Sequence, residues 1–168
     1  MSRAGGLAAV AAVCWVGLAA GTPASAQLVL SERNVSLKLA RMIADGVLEH
    51  CAKDNYDVSV VVVDRTGAVR LSMRSDKAAP HNFDLARRKA YTARTFRQPS
   101  ADWAKRTADG SALAGQRNLA DVIALGGGVP INVGDETIGA VGVSGAPGQD
   151  KDEACAKAGV AKVADQLK

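Results

Sequence analysis

Few residues in this chain can carry chemistry, and they are scattered. The histidines and cysteines beyond residue 26 are His50 and His81, Cys51 and Cys155. Neither type shows the close CxxC or HxxxH spacing from which a protein-only zinc site is built. A single imidazole suffices as the axial ligand of a haem, which needs no local motif. His81 lies in the loop DKAAPHN (76–82), directly before a helix whose positive end and basic side chains Arg87, Arg88 and Arg94 can meet propionates. Tyr91, in the same helix, can cover the ring or ligate its iron. His50 extends an apolar helical stripe, where an imidazole is more often a core residue with a satisfied hydrogen bond. It stands as the second candidate ligand.

The stretch GGGVPINVGDETIGAVGVSGAPGQD (126–150) invites two other readings, and both fail. No GxxxxGK[ST] is present, and Gly126–Gly128 precede a strand beginning at Val129, not a helix, so neither a phosphate loop nor a dinucleotide fingerprint fits. Gly142-Val143-Ser144-Gly145-Ala146 misses the nucleophile pattern GxSxG by one place, and no histidine stands in an obvious supporting position. Glycine inside a strand removes packing, and usually marks a bulge or the close approach of another body. A helix with a small face, a second subunit or a flat ligand would each serve.

These residues belong to a chain whose first part reads as an export signal. Arg3 supplies the positive start and LAAVAAVCWVGLAA (7–20) the apolar core; Ala24-Ser25-Ala26 gives the small-x-small site expected before cleavage, so that the mature chain begins at Gln27. The apolar run is short for a membrane span. A retained anchor is the alternative. Export implies a periplasmic or extracellular protein of one domain, 27–168. Without Arg3, 20 of the 21 basic residues face 17 acidic ones, a net charge of +3. That is ordinary solubility and no footprint for nucleic acid. Aromatic residues make up only 4% of the chain, too few for a base-stacking platform. In an oxidising compartment the surviving pair Cys51 and Cys155 invites a disulfide; two buried thiols are the other option.

The elements follow from periodicity. Ser31 can cap a helix over 32–53, on which Val35, Leu39, Met42, Ile43, Gly46 and Val47 form a stripe. VSVVVV (58–63) is apolar on both faces and therefore central, and Asp64–Gly67 turns it into the alternating strand 68–75. Asn82 can cap the helix 83–96, whose Ala86, Ala90 and Ala93 make one small face. Ser100 can cap a short helix, and 115–124 is weakly helical. GVPINV and TIGAVGVS are strands joined at 134–136. Asp150 and Glu153 resemble a capping box for a last helix bearing Ala156, Val160, Val163 and Leu167 on one face. Hairpins separated by helices imply an antiparallel α/β layer.

The segments VVVDRTGAVRLSMRSDKA, LARRKAYTARTF with Pro99-Ser100, GGGVPI, IGAVGVSG and QDKDEACAKAG, in this order, resemble the GlcG/HbpS-like family of haem-binding and haem-degrading proteins. The resemblance spans nearly all of 27–168. It implies a profilin-like α/β domain, an antiparallel sheet flanked by helices, assembled as a homo-oligomer, a dimer or higher. It also implies a haem cofactor, degradation of haem driven by peroxide as a secondary activity, and in some members a membrane sensor protein as partner. The alternative is a non-enzymatic oligomer that binds a small organic ligand, such as an acid at Arg87 or Arg94, or a protein partner. Lys89, Ala90, Thr92 and Ala93 match the family's KAxTA core; Gly127, Gly128, Pro130 and Ile131 its GGVPI; Gly139, Gly142, Ser144 and Gly145 its GxxGVSG; Asp152, Glu153, Ala156 and Gly159 its closing helix. The resemblance fixes no haem ligand, so His81 and His50 both remain.

Overall fold

A computed structural model describes Met1 and residues 29–168; the expected leader and its cleavage site, apart from Met1, lie outside the described residues. From Glu32 onward the chain forms one compact body. The elements are α1 (Leu37–Ala52), β1 (Ser59–Val63), β2 (Val69–Arg74), α2 (Asn82–Phe96), α3 (Ser100–Arg106), β3 (Gly128–Val133), β4 (Glu136–Ser144) and α4 (Gln149–Ala161), with 3-10 turns at Ala114–Asn118 and Ala164–Gln166. The four strands form one antiparallel sheet in the order β2-β1-β4-β3. This is the α/β architecture expected from the alternation of hairpins and helices.

Both faces of the sheet are covered, and they are covered differently. Val60 and Val62 of β1, with Val141 and Val143 of β4, meet Ile43, Ala44 and Val47 of α1 and Cys155 and Ala156 of α4. Val61, Val63 and Ala140 face the opposite way and meet only Ala86, Ala90 and Ala93 of α2. β1 is buried along its whole length, as a strand apolar on both faces must be. β2 lies at an edge, and its residues are exposed or half-buried.

The glycines are explained by the small-faced helix. A Cβ on Gly142 would run into the Ala86 carbonyl and the Ala90 amide, and one on Gly128 into the Lys89 carbonyl. So α2 lies against the backbone of β4 and β3. Gly139 points to the other face, where Val35 occupies the space a side chain would need.

Four caps fall elsewhere than the sequence suggests, each for a tertiary reason. α1 begins at Leu37, and Ser36, not Ser31, accepts the Leu39 N–H at 3.1 Å. The preceding residues are held extended because Asn34 Oδ1 accepts N–H bonds from both Val35 (2.8 Å) and Arg65 (2.9 Å). Asn82 lies inside α2 and is buried, its amide against Gly145, while His81 holds the cap position without capping. Ser100 turns its hydroxyl to accept the Gly128 N–H at 2.8 Å. Gly148, with φ of 146°, replaces Asp150 as the cap of α4, and Glu153 pairs with Lys157 at 2.6 Å. The weak helix expected over 115–124 is only the 3-10 turn at Ala114–Asn118.

Cys51, at the end of α1, is bridged to Cys155 in α4, with Cα atoms 5.6 Å apart and a separation of 104 positions in sequence. Replacing both by serine should lower stability by about 4 kcal/mol, from the entropy of closing so long a loop; denaturant titration of the oxidised protein beside the variant measures the difference. Gly142→Ala should cost about 3 kcal/mol or more, because its Cβ meets backbone that cannot yield. Thermal unfolding of that variant checks the value.

Candidate functional site

α2 organises the candidate positions other than His50, because both of its ends open onto clefts. At its start an open cleft of about 400 Å³ separates His81 and Leu85 from the loop between β4 and α4, with Lys89, Ser144 and Asp152 lining it. Lys89 and Asp152 are only 3% and 6% exposed, and Lys89 Nζ donates to Asp152 Oδ2 at 2.7 Å and to the Val143 carbonyl at 3.0 Å. Asp152 Oδ1 accepts the Ala146 N–H at 3.0 Å. Burial pushes the Asp152 carboxyl above its ordinary value; the Lys89 charge and the backbone N–H bonds offset only part of this. The pair is therefore a fastener between α2, β4 and α4 more than a source of net stability. Gly127, with φ of 115°, wraps it closely: a Cβ there would meet Asp152, the Val143 carbonyl and the Lys89 ammonium.

The residues singled out from sequence do not gather in one place. His81 is exposed on the cleft rim, and Phe83 beside it is 41% exposed. Arg87 is clamped between Asp84 at 3.0 Å and Asp121 at 2.9 Å. Arg88 donates to the Val122 carbonyl at 2.7 Å. Tyr91 follows His81 by ten residues, about 15 Å along a helix, and its ring packs against Gly67 in the turn between β1 and β2. Arg94 is further still and lines a different cavity, with Arg33, Arg65 and Arg97. His50 is half-buried in the last turn of α1, across the sheet from α2.

Ser144 and His81 share the first cleft, but no hydrogen bond joins them, and the nearby carboxylate, Asp152, is held by Lys89. That arrangement lacks the base and orienting group of a hydrolytic triad. Among the described residues no cluster of three or more His, Cys, Asp or Glu side chains could hold a metal ion, and no helix is long and apolar enough to cross a membrane.

The model of the HbpS-like haem-degrading proteins matches residues 35–161, the whole of the sheet and its covering helices. The chain belongs to this family. Among its HbpS-like relatives, the protein GlcG of Escherichia coli is 33% identical over 110 residues, 66% of this chain and 81% of GlcG. A double mutant of HbpS from Streptomyces reticuli is 34% identical with a TM-score of 0.76, covering 85% of this chain and 96% of that one. The crystal structure of a PduOC–haem complex shares the fold at 24% identity, with a TM-score of 0.71 over 76% of this chain and 94% of that one.

Sequence reasoning from spacing passed over Lys89 and Asp152 as a functional pair, though one signal was present. Lys89 falls on the alanine face of α2, three residues after Ala86 and one before Ala90, where an ammonium demands a partner. Lys89→Met should lower stability by about 3–5 kcal/mol, because it leaves the Asp152 charge buried alone. Adding Asp152→Leu should recover most of the loss. A double-mutant cycle from denaturant unfolding measures both, and a full, unrecovered loss in the double variant would show a net-stabilising pair instead.

Proposed function

We propose that this chain is an exported haem-binding protein in which His81 ligates the iron. The observation that carries this reading is the exposed imidazole at the start of α2, spare of any capping role and set on the rim of an open cleft. Leu85, which lines the same cleft, offers apolar surface to a macrocycle, and the helix start beside it favours an anionic propionate. Membership of a haem-degrading family supports the same ligand class, as does a haem complex on the same fold. Arg87 and Arg88 are engaged with Asp84, Asp121 and Val122, so they serve propionates only by giving up those partners. Tyr91 and Arg94 are too far along α2 to share a haem with His81.

The chain's own contribution is binding and orientation. No acid–base set faces His81 among the described residues, so degradation falls to the redox chemistry that haem iron supplies with peroxide. Export is supported by the signal-like first 26 residues and by the buried Cys51–Cys155 bridge, which suits an oxidising compartment. Assembly into a homo-oligomer is supported by the open edge at β2 and the exposed Val69 and Phe83.

Haem titrated into the mature protein should give a saturating Soret shift near one haem per subunit. His81→Ala should weaken binding about tenfold or more and slow peroxide bleaching, while His50→Ala changes neither. A titration unaltered by His81→Ala would overturn the ligand assignment. A linear rise insensitive to both variants would overturn the haem reading itself.

A further inference from the structure

We infer that the cavity at the C-terminal end of α2 binds a small organic carboxylate through Arg94 and Arg97. It lies about 20 Å along α2 from His81 and is independent of the haem reading. Its volume is about 490 Å³, with Arg33, Arg65, Arg94 and Arg97 on one side and the β3–β4 hairpin, carrying Asp135 and Glu136, on the other.

The guanidinium groups divide into two kinds. Arg65 pairs with Glu136 and, at 3.4 Å, with Glu32; Arg33 lies 3.9 Å from Glu136. Those two build the wall. Arg94 and Arg97 have no carboxylate partner among the described residues. Arg94 Nε is moreover buried with no acceptor at all. A buried N–H donor on a charged group is costly to leave unmade, and because this atom is closed off from solvent it gains an acceptor only when the guanidinium turns outward into the cavity. Burial first, then the Arg97 and Arg65 charges, hold the Arg94 pKa below its ordinary value, as expected where positive charge is crowded and under-compensated.

Arg97 adds a second sign. It ends α2 in the left-handed region, with φ of 54°, at a position where glycine would be unstrained. Helix-end electrostatics favour a cation in this last turn, but they do not account for the unmet donor on Arg94.

The charge balance sets the ligand class. Four guanidinium groups and two carboxylates line the cavity, and Glu32 is drawn onto Arg65, so the surplus is one or two positive charges. A mono- or dicarboxylate matches that surplus. A polyphosphate would crowd Asp135 and Glu136. A carboxylate also takes two parallel N–H bonds from one guanidinium, and Val133 gives an organic body an apolar surface.

The test is titration of the disulfide-intact protein with sodium succinate at constant ionic strength, followed by calorimetry and by the Arg94 Nε–Hε resonance in NMR. Saturable binding that shifts this resonance is expected. Arg97→Ala, on an exposed side chain that leaves folding intact, should weaken it about tenfold, and Arg94→Lys should do the same by removing the bidentate donor. His81→Ala should leave succinate binding unchanged, and Arg97→Ala should leave the haem Soret titration unchanged, so that either reading can fail alone. Absence of saturation, or an affinity in both arginine variants equal to that of the unaltered protein, would overturn the site. Inorganic phosphate binding as tightly as succinate would overturn the carboxylate class.

Discussion

The ammonium group of Lys89 is the constraint around which this fold is arranged. It lies on the face of α2 that packs against the sheet, and its chain runs inward to Asp152 and the Val143 carbonyl. An isolated charge there would be prohibitive, so α4 must begin where Asp152 can reach it and β4 must end where its carbonyl points at it. Gly127 and Gly128 follow from the same geometry, since a side chain at either would occupy space held by the pair or by the Lys89 backbone. Gly148 and not Asp150 caps α4 because the helix start is set by this buried contact.

The unequal covering of the sheet follows from how closely α2 must approach. With alanines, a threonine, the lysine stem and, at its start, Asn82 as its buried residues, α2 lies nearly on the backbone of β3 and β4, and Gly142 and Gly128 permit it. The other face carries the larger side chains and the Cys51–Cys155 bridge, which joins its two helices. A helix held so rigidly along one side presents fixed ends. His81 and Phe83 stand at one, Arg94 and Arg97 at the other, and each end opens onto a cleft.

Most of the architecture was legible before any coordinates. VSVVVV reads as a central strand because it is apolar on both faces, and the alanines at 86, 90 and 93 announce close packing. The candidate sites were less legible. Arg87 and Arg88 look identical to Arg94 in sequence, yet the first two are consumed by Asp84, Asp121 and the Val122 carbonyl. Asp121 and Val122 sit in an irregular segment whose path no periodicity predicts. Tyr91 likewise reads as a ring cover, but its ring is committed to Gly67. Spacing along a helix tells which residues share a face, not which partners that face will meet.

The sequence by itself determined the element types, the antiparallel α/β class and the small face of α2, because those depend on local periodicity and side-chain size. It also determined the family, through motifs that keep their order along the chain. The tertiary structure alone decided the helix caps, the Lys89–Asp152 pairing and which arginines of α2 are left without a carboxylate partner. Those depend on contacts between residues tens of positions apart, where burial sets the cost of each unpaired polar group and so chooses its partner.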